Sequence, residues 1–182
     1  MQTLTTKRLI IKKAELTDSE FFLKLLNSPN WIEFIGDRGV KTVKGATKYI
    51  QDSLISSYHK NGYGLYKVCL KDNGTPIGIC GFVKRDYLED VDIGFAMLSE
   101  YEGKGFAYEA AKATIEYGNS QLNLTTILAI TTRKNNKSRK LLSKVGFLEI
   151  GIIKPDKSSV EFLLFSNKNE KPNGNIMYLK QN

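Results

Sequence analysis

The sequence predicts a mixed α/β domain in which a mostly antiparallel, six- to seven-stranded sheet is flanked by about four helices, in the order β-α-α-β-β-β-α-β-α-β-β. Three observations predict it. Short runs rich in β-branched and aromatic residues alternate with segments whose apolar residues recur at helical spacing. An Asn-Gly pair, Asn73-Gly74, joins two apolar runs in the manner of a hairpin. Two separate glycine-marked points follow strands and open or close helices. The 182 residues suit a single domain, expected over residues 1–166, with residues 167–182 as a tail that forms an edge strand or lacks order.

The elements follow in chain order. Thr5 to Ala14, around Leu9-Ile10-Ile11, reads as the first strand. Thr17-Asp18-Ser19-Glu20 has the spacing of a capping box, and Phe21, Phe22, Leu25 and Leu26 continue as a helix that Asn27-Ser28-Pro29-Asn30 stops. Trp31 to Phe34 reads as one further helical turn. Thr42 caps a second long helix with Ala46, Tyr49, Ile50, Leu54 and Tyr58 on one face. Gly64 to Lys71 and Pro76 to Val83 are the arms of the hairpin, and Val91 to Leu98 is the next strand. A helix from about Ala107 to Tyr117 presents Ala110, Ala111, Thr114 and Ile115, with Gly118 as its stop. Ile127 to Thr132 is a strand, Asn136 to Val145 a helix ended by Gly146. Glu149 to Ile153 and Val160 to Ser166 form a final hairpin pair.

Composition excludes several classes of function. Hydrophobic residues make up 41% of the chain, enough for a core. No apolar run approaches the roughly 20 residues of a membrane span, and the N-terminus lacks the apolar segment of a secretory signal, so a cytoplasmic protein is expected. Cys69 and Cys80 sit in apolar strands without histidine neighbours and read as buried reduced thiols, with no metal site. The one histidine, His59, lies in a polar stretch and reads as a surface residue. The net charge of +8 favours anionic partners. The basic residues are dispersed, and no reading motif for DNA or RNA is present, so direct nucleic-acid binding is not expected.

The chemistry concentrates between Asp92 and Phe147. Asp92 to Leu98 runs as a strand through Ser99-Glu100-Tyr101 into Glu102-Gly103-Lys104-Gly105-Phe106-Ala107, where a helix opens at once. A helix N-terminus offers unpaired N–H groups and the positive end of a dipole, and glycine lets the backbone approach an anion closely. The stretch has the physical attributes of a pyrophosphate cradle. It lacks the Gly-Lys-Ser/Thr ending of an ATP-binding loop and the third glycine of the dinucleotide fingerprint.

These residues resemble the GNAT superfamily of acetyltransferases, which carries Gln/Arg-x-x-Gly-x-Gly/Ala at this point. The match is at Gly105 and Ala107; Glu102 departs from it. Asn135-Asn136-Lys137-Ser138 through Gly146-Phe147 resembles a second segment of the family, in the right order. The resemblance extends from Thr6-Lys7-Arg8-Leu9 through Asn73 to Gly78 and on to Phe162-Leu163-Leu164-Phe165. It is closest to the branch that acetylates the N-terminal alanine of ribosomal proteins.

The resemblance implies acetyl-CoA as co-substrate and an amine acceptor. The acceptor is a protein or peptide N-terminus, attacked directly in a ternary complex, or alternatively a small amine. A non-catalytic acetyl-CoA-binding module is the reading from a different class. No membrane partner is implied, and a monomer or homodimer is expected. The cofactor-binding residues implied are Phe95, Met97 and Leu98 on the strand; Glu102, Gly103, Lys104, Gly105, Phe106 and Ala107 in the cradle; and Asn135, Ser138 and Arg139. Asp92 is the first candidate base, acting through water, beside its alternative as a structural carboxylate; Glu109 and Glu161 are the other acids considered. Many members of the superfamily protonate the departing thiolate with a tyrosine where this chain has Leu142. Ser138 then either takes that place or only caps its helix. Lys104 and Lys140 are further candidate phosphate partners, and Trp31, Phe34, Tyr63 and Tyr66 either line the acceptor pocket or pack in the core.

Overall fold

The computed structural model describes residues 3–155 and 160–168, and within them the expected first strand divides in two, β1 (Leu4–Thr5) and β2 (Leu9–Lys12). Thr6 makes the division. Its hydroxyl accepts from the Leu9 N–H at 3.0 Å while its own N–H donates to the Leu9 carbonyl at 2.9 Å, so residues 6–9 close a turn. The two strands then pair antiparallel, Leu4 opposite Ile11. The tail expected at residues 167–182 lies, from residue 169 on, outside the described residues.

A 3-10 turn, Leu16–Asp18, leads into α1 (Ser19–Leu26). The capping box forms here, two residues earlier than expected: Glu15 and Asp18 hold each other's backbone, the Glu15 N–H donating to Asp18 at 2.8 Å. Thr17-x-x-Glu20 and Glu15-x-x-Asp18 have the same spacing, and the chain uses the second. Pro29 opens α2 (Pro29–Phe34) at a position where no N–H is needed. Thr42 caps α3 (Val43–Tyr49) by accepting from the Gly45 N–H at 3.0 Å. A π-helical segment, Ile50–Ile55, follows, then α4 (Ser56–Asn61), closed by Gly62 at φ +77°. The inward residues Ala46, Ile50, Leu54 and Tyr58 recur every four residues, longer than the 3.6 of an α-helix. A wider π turn keeps them on one face.

The hairpin of β3 (Leu65–Leu70) and β4 (Pro76–Val83) forms as expected, with Gly74 at φ +73° and Thr75 N–H bound to the Asn73 side chain. After β5 (Asp92–Met97) and a 3-10 turn (Ser99–Tyr101) comes α5 (Phe106–Gln121). Gly118 does not stop it. The residue is buried within the helix, and its carbonyl accepts from Leu122 and Leu124 beyond. The remaining elements are β6 (Leu128–Thr131), α6 (Asn136–Lys144), β7 (Leu148–Ile153) and β8 (Phe162–Ser166). The strands form one eight-stranded sheet in the order β1-β2-β3-β4-β5-β6-β8-β7. β5 and β6 run parallel, Asp92 opposite Leu128, and the other pairings described are antiparallel. The eighth strand comes from the Thr6 turn.

Two compact units make up the described chain. The first holds residues up to Val83 together with Gly94–Thr114. Its core is built from Leu9 and Ile11 of β2, Phe22 and Leu25 of α1, Ile50, Tyr66 and Val68 of β3, and Ile77, Ile79 and Phe82 of β4, all at 1% exposure or less. β3 and β4 are buried on both faces, as their near-continuous apolar runs require. Lys67 is drawn into this interior by an ion pair with Asp18. Cys69 and Cys80 are buried free thiols, as expected. The second unit, Lys84–Ile93 with the described residues from Ile115 on, is centred on Leu88, Leu128, Ile153 and Leu164.

Candidate active site

In the first unit, the chain between the 3-10 turn and α5 has a conformation that only its glycines make easy. Gly103 has φ +72° and Gly105 φ +79°, and Lys104 between them keeps a negative φ. Alternating signs of φ turn successive N–H groups toward one concavity, which is the geometry of a backbone anion site. A Cβ at Gly103 would meet nothing within 4 Å. The first intrahelical bond of α5 runs from the Glu109 N–H to the Gly105 carbonyl at 3.1 Å. The N–H groups of Phe106 and Ala107 therefore precede any intrahelical acceptor. This arrangement fits a diphosphate.

The side chains around the cradle are committed to one another. Asn30 of α2 donates to the Glu102 carboxylate at 2.5 Å, and the Glu102 N–H donates to the Ser99 carbonyl at 3.2 Å. The Glu102 side chain thus links this turn to α2. Lys104 is exposed, its ammonium 5.6 Å from the Tyr101 ring centre. Glu109, one of the acids considered as a base, takes donors from the β1–β2 turn. These are the Thr6 hydroxyl at 2.6 Å, the Arg8 N–H at 2.8 Å and the Arg8 Nε at 2.6 Å. Burial raises its pKa, but these bonds outweigh burial and hold the carboxyl below its ordinary value. Arg8 also donates from Nη1 to the Lys104 carbonyl at 3.0 Å and lies over the Phe106 ring at 4.5 Å. Sequence reasoning missed this set, because about a hundred residues separate its halves and no local pattern links them.

β5 supplies backbone. Leu98, just past its end, donates its N–H to the Ile77 carbonyl at 2.9 Å and gives its carbonyl to the Tyr101 N–H at 2.9 Å. Both backbone groups of Leu98 thus have partners within the protein. At Gly78 of β4 the neighbouring strand is close: a Cβ there would stand 2.4 Å from the Ala96 carbonyl oxygen of β5.

Among the aromatics considered for an acceptor pocket, Tyr66 is fully buried and stacked on Tyr58 at 5.4 Å, which makes it a core residue. Tyr63 meets Phe82 edge to face at 6.1 Å, and Phe34 is half-buried. Trp31 is 3% exposed and its indole N–H has no partner among the described residues.

In the second unit, Asp92 is 1% exposed, and its Oδ1 accepts from Arg85 Nε at 2.9 Å. Burial pushes the Asp92 carboxyl up against the opposing pull of Arg85. Asn135 is the N-cap of α6, its side-chain oxygen accepting from the Ser138 N–H at 3.0 Å. Asn135 therefore does the capping, and the Ser138 hydroxyl is not needed for it. Arg139 lies 3.6 Å from Glu149, half-exposed, with Lys140 exposed beside it; Glu161 is exposed just ahead of β8. Among the described residues no group of three or more His, Cys, Asp or Glu is placed to hold a metal ion, and no helix is long and apolar enough to cross a membrane.

The mostly antiparallel sheet, with β5 running through a glycine turn into the long helix α5, is the fold of the GNAT acetyltransferases. Residues 8–148 match the acetyltransferase (GNAT) domain family, and the chain belongs to that family. It is 31% identical over 156 residues to the uncharacterized N-acetyltransferase p20 of Bacillus licheniformis, covering 85% of this chain and 86% of that one. It is 29% identical over 104 residues to the [ribosomal protein uS5]-alanine N-acetyltransferase of Escherichia coli, covering 56% and 54% of the two chains. The fold is shared with RimL, a ribosomal L7/L12 α-N-protein acetyltransferase solved in complex with coenzyme A (TM-score 0.78, 13% identity, 91% and 97% covered). It is shared also with a chimera of the spermidine N-acetyltransferase SpeG from Vibrio cholerae and hSSAT (TM-score 0.70, 18% identity, 87% and 93% covered). The protein is an acetyl-CoA-dependent N-acetyltransferase, with acetyl-CoA as co-substrate and an amine as acceptor.

Proposed function

We propose that the acceptor is the α-amine at the N-terminus of a protein or peptide, acetylated by direct attack on the thioester in a ternary complex. The observation that carries this reading is the commitment of the carboxylates. Asp92 is paired with Arg85, Glu109 with Arg8 and Thr6, and Glu102 with Asn30. A polycationic small amine needs several uncommitted acids to bind, and in a chain of net charge +8 these three are already taken. A single α-amine asks for less. Its pKa of roughly 8 leaves a substantial neutral fraction near pH 7, so only weak base assistance is required.

The roles follow from that chemistry. The amides from Gly103 to Ala107 hold the diphosphate, with Arg139 as the side-chain cation for cofactor phosphate. The β5 backbone at Phe95 and Met97 binds the pantetheine arm, and the Met97 N–H polarises the thioester carbonyl as charge builds on its oxygen. The Asn135 amide contacts the arm. Asp92, through water, takes the proton that the amine loses on attack, and the Ser138 hydroxyl hydrogen-bonds the thiolate as the carbon–sulfur bond breaks.

The test is release of coenzyme A measured across N-terminal peptides, including Ala- and Ser-initiated ones, and across spermidine, spermine, amino acids and aminoglycosides. Turnover on α-amino peptides with none on polyamines is expected. Turnover confined to small amines would transfer the reading to a small-molecule acetyltransferase. Binding of acetyl-CoA with no release on any amine would leave a non-catalytic module.

A further inference from the structure

The diphosphate cradle is held from outside by a residue that no motif marks. The Lys104 carbonyl and the Gly105 N–H belong to one planar trans peptide unit, so they point in opposite directions. Arg8 Nη1 donates to that carbonyl at 3.0 Å, which turns the Gly105 N–H away from Arg8. The next peptide plane is fixed as well. The Gly105 carbonyl accepts from the Glu109 N–H at 3.1 Å, which turns the Phe106 N–H outward from the helix end. Both planes flanking Gly105 thus depend on Arg8 and on Glu109, and these two residues are joined to each other. The Arg8 Nε and backbone N–H each donate to the Glu109 carboxylate, and the Thr6 hydroxyl adds a third bond. The guanidinium rests on the Phe106 ring at 4.5 Å, and its Nη2 is 3.4 Å from where a Cβ at Gly105 would stand. A glycine at positive φ has many competing conformations, and a peptide plane beside it flips readily unless something holds it.

We propose that Arg8 is a positioning residue for the cofactor: its hydrogen bond to the Lys104 carbonyl fixes the 104–105 peptide plane so that the Gly105 N–H faces the diphosphate of coenzyme A. Arg8 also neutralises the Glu109 carboxylate, which stands in the first turn of α5 and would otherwise oppose an anion at that helix end. The inference rests on the placement of the diphosphate at Gly103–Ala107.

The experiment compares wild type, Arg8→Met and Arg8→Lys with two acetyl donors, acetyl-CoA and acetyl-pantetheine, which lacks the diphosphate. In Arg8→Met the KM for acetyl-CoA is expected to rise about tenfold or more, the effect of losing one aligned bond to a charged group. Its kcat stays within about twofold, as for an interaction present equally in ground and transition states. With acetyl-pantetheine the same substitution should change kcat/KM by less than about twofold. Arg8→Lys keeps a donor for the carbonyl but not the fork to Glu109, and should fall between. Equal losses with both donors would mean that Arg8 only supports the fold, and the proposal would fail. Should Arg8→Met not fold, Arg8→Lys carries the same comparison. A wild type that does not prefer acetyl-CoA over acetyl-pantetheine removes the cradle reading itself; a preference that survives in both variants removes only the role of Arg8.

Discussion

Gly78→Ala is the smallest change that should damage the proposed pantetheine strand without touching the cofactor. Gly78 lies on β4 opposite Val68 of β3 and faces β5 on its other side. A Cβ added there would be 2.3 Å from Met97 Sδ, 2.4 Å from the Ala96 carbonyl oxygen and 3.0 Å from Met97 Cα. The sulfur ends a flexible side chain and can swing aside. The other two atoms are backbone, and the carbonyl oxygen stands about 1 Å inside ordinary contact distance. Relief therefore requires β5 itself to retreat at Ala96–Met97. Forcing extra volume into a packed interior in this way costs about 2–3 kcal/mol. For a chain of this length that corresponds to a fall in Tm of about 5–10 °C. Because Met97 N–H is the proposed carbonyl donor, a displacement of about 1 Å should also lower kcat about a hundredfold. Differential scanning fluorimetry and coenzyme A release measure the two effects. Gly78→Ala with the Tm and kcat of wild type would show that β4 and β5 are not in this close contact, and would refute the argument.

Four further outcomes follow from the geometry. Asp92→Asn should lower kcat about a hundredfold and remove the acidic limb of the pH–rate profile if the carboxylate acts as base, whereas unchanged kcat would confine Asp92 to its ion pair. Arg85→Met should lower stability by about 3 kcal/mol by leaving a buried carboxylate unpaired, read as a lower midpoint in urea unfolding. Ser138→Ala should reduce kcat about tenfold with the KM for acetyl-CoA unchanged, and an unaltered kcat would exclude a bond to the departing sulfur. The Glu109 pKa lies below its ordinary value of 4.5 in the folded protein, so its stabilising contribution is complete above that value and is lost as pH falls through the lowered one. The Tm difference between wild type and Glu109→Gln should accordingly narrow as pH falls below about 4.5.

The sequence was most informative where a structure is made by near neighbours. Thr42 caps its helix through a bond three residues long, and Gly74 closes its hairpin with Asn73. The buried thiols and the exposed histidine also read correctly from their flanking residues. Local signals failed where two were equivalent or where burial overrode them. The capping box had two candidates with one spacing, and Gly118 is accommodated inside α5 because its site is buried. The candidate site was half legible. The glycine loop could be found by its residues, but the fate of the side chains around it could not. Nothing near Glu102 announces Asn30, which is 72 residues away, and nothing near Glu109 announces Arg8 at 101. The partner of the Leu98 N–H was likewise invisible, because it is the Ile77 carbonyl of another strand.

The two cysteines decide how cleanly this chemistry can be followed. Cys80 has no exposed surface, and burial pushes its thiol up to about 12; Cys69 is 3% exposed and also raised by burial, against the pull of Lys67. Disulfide reagents attack thiolates they can reach, and the folded protein offers none at assay pH. Sulfur titrated in a reaction mixture is therefore the coenzyme's own. A single cysteine introduced on the surface would carry any dye or spin label alone.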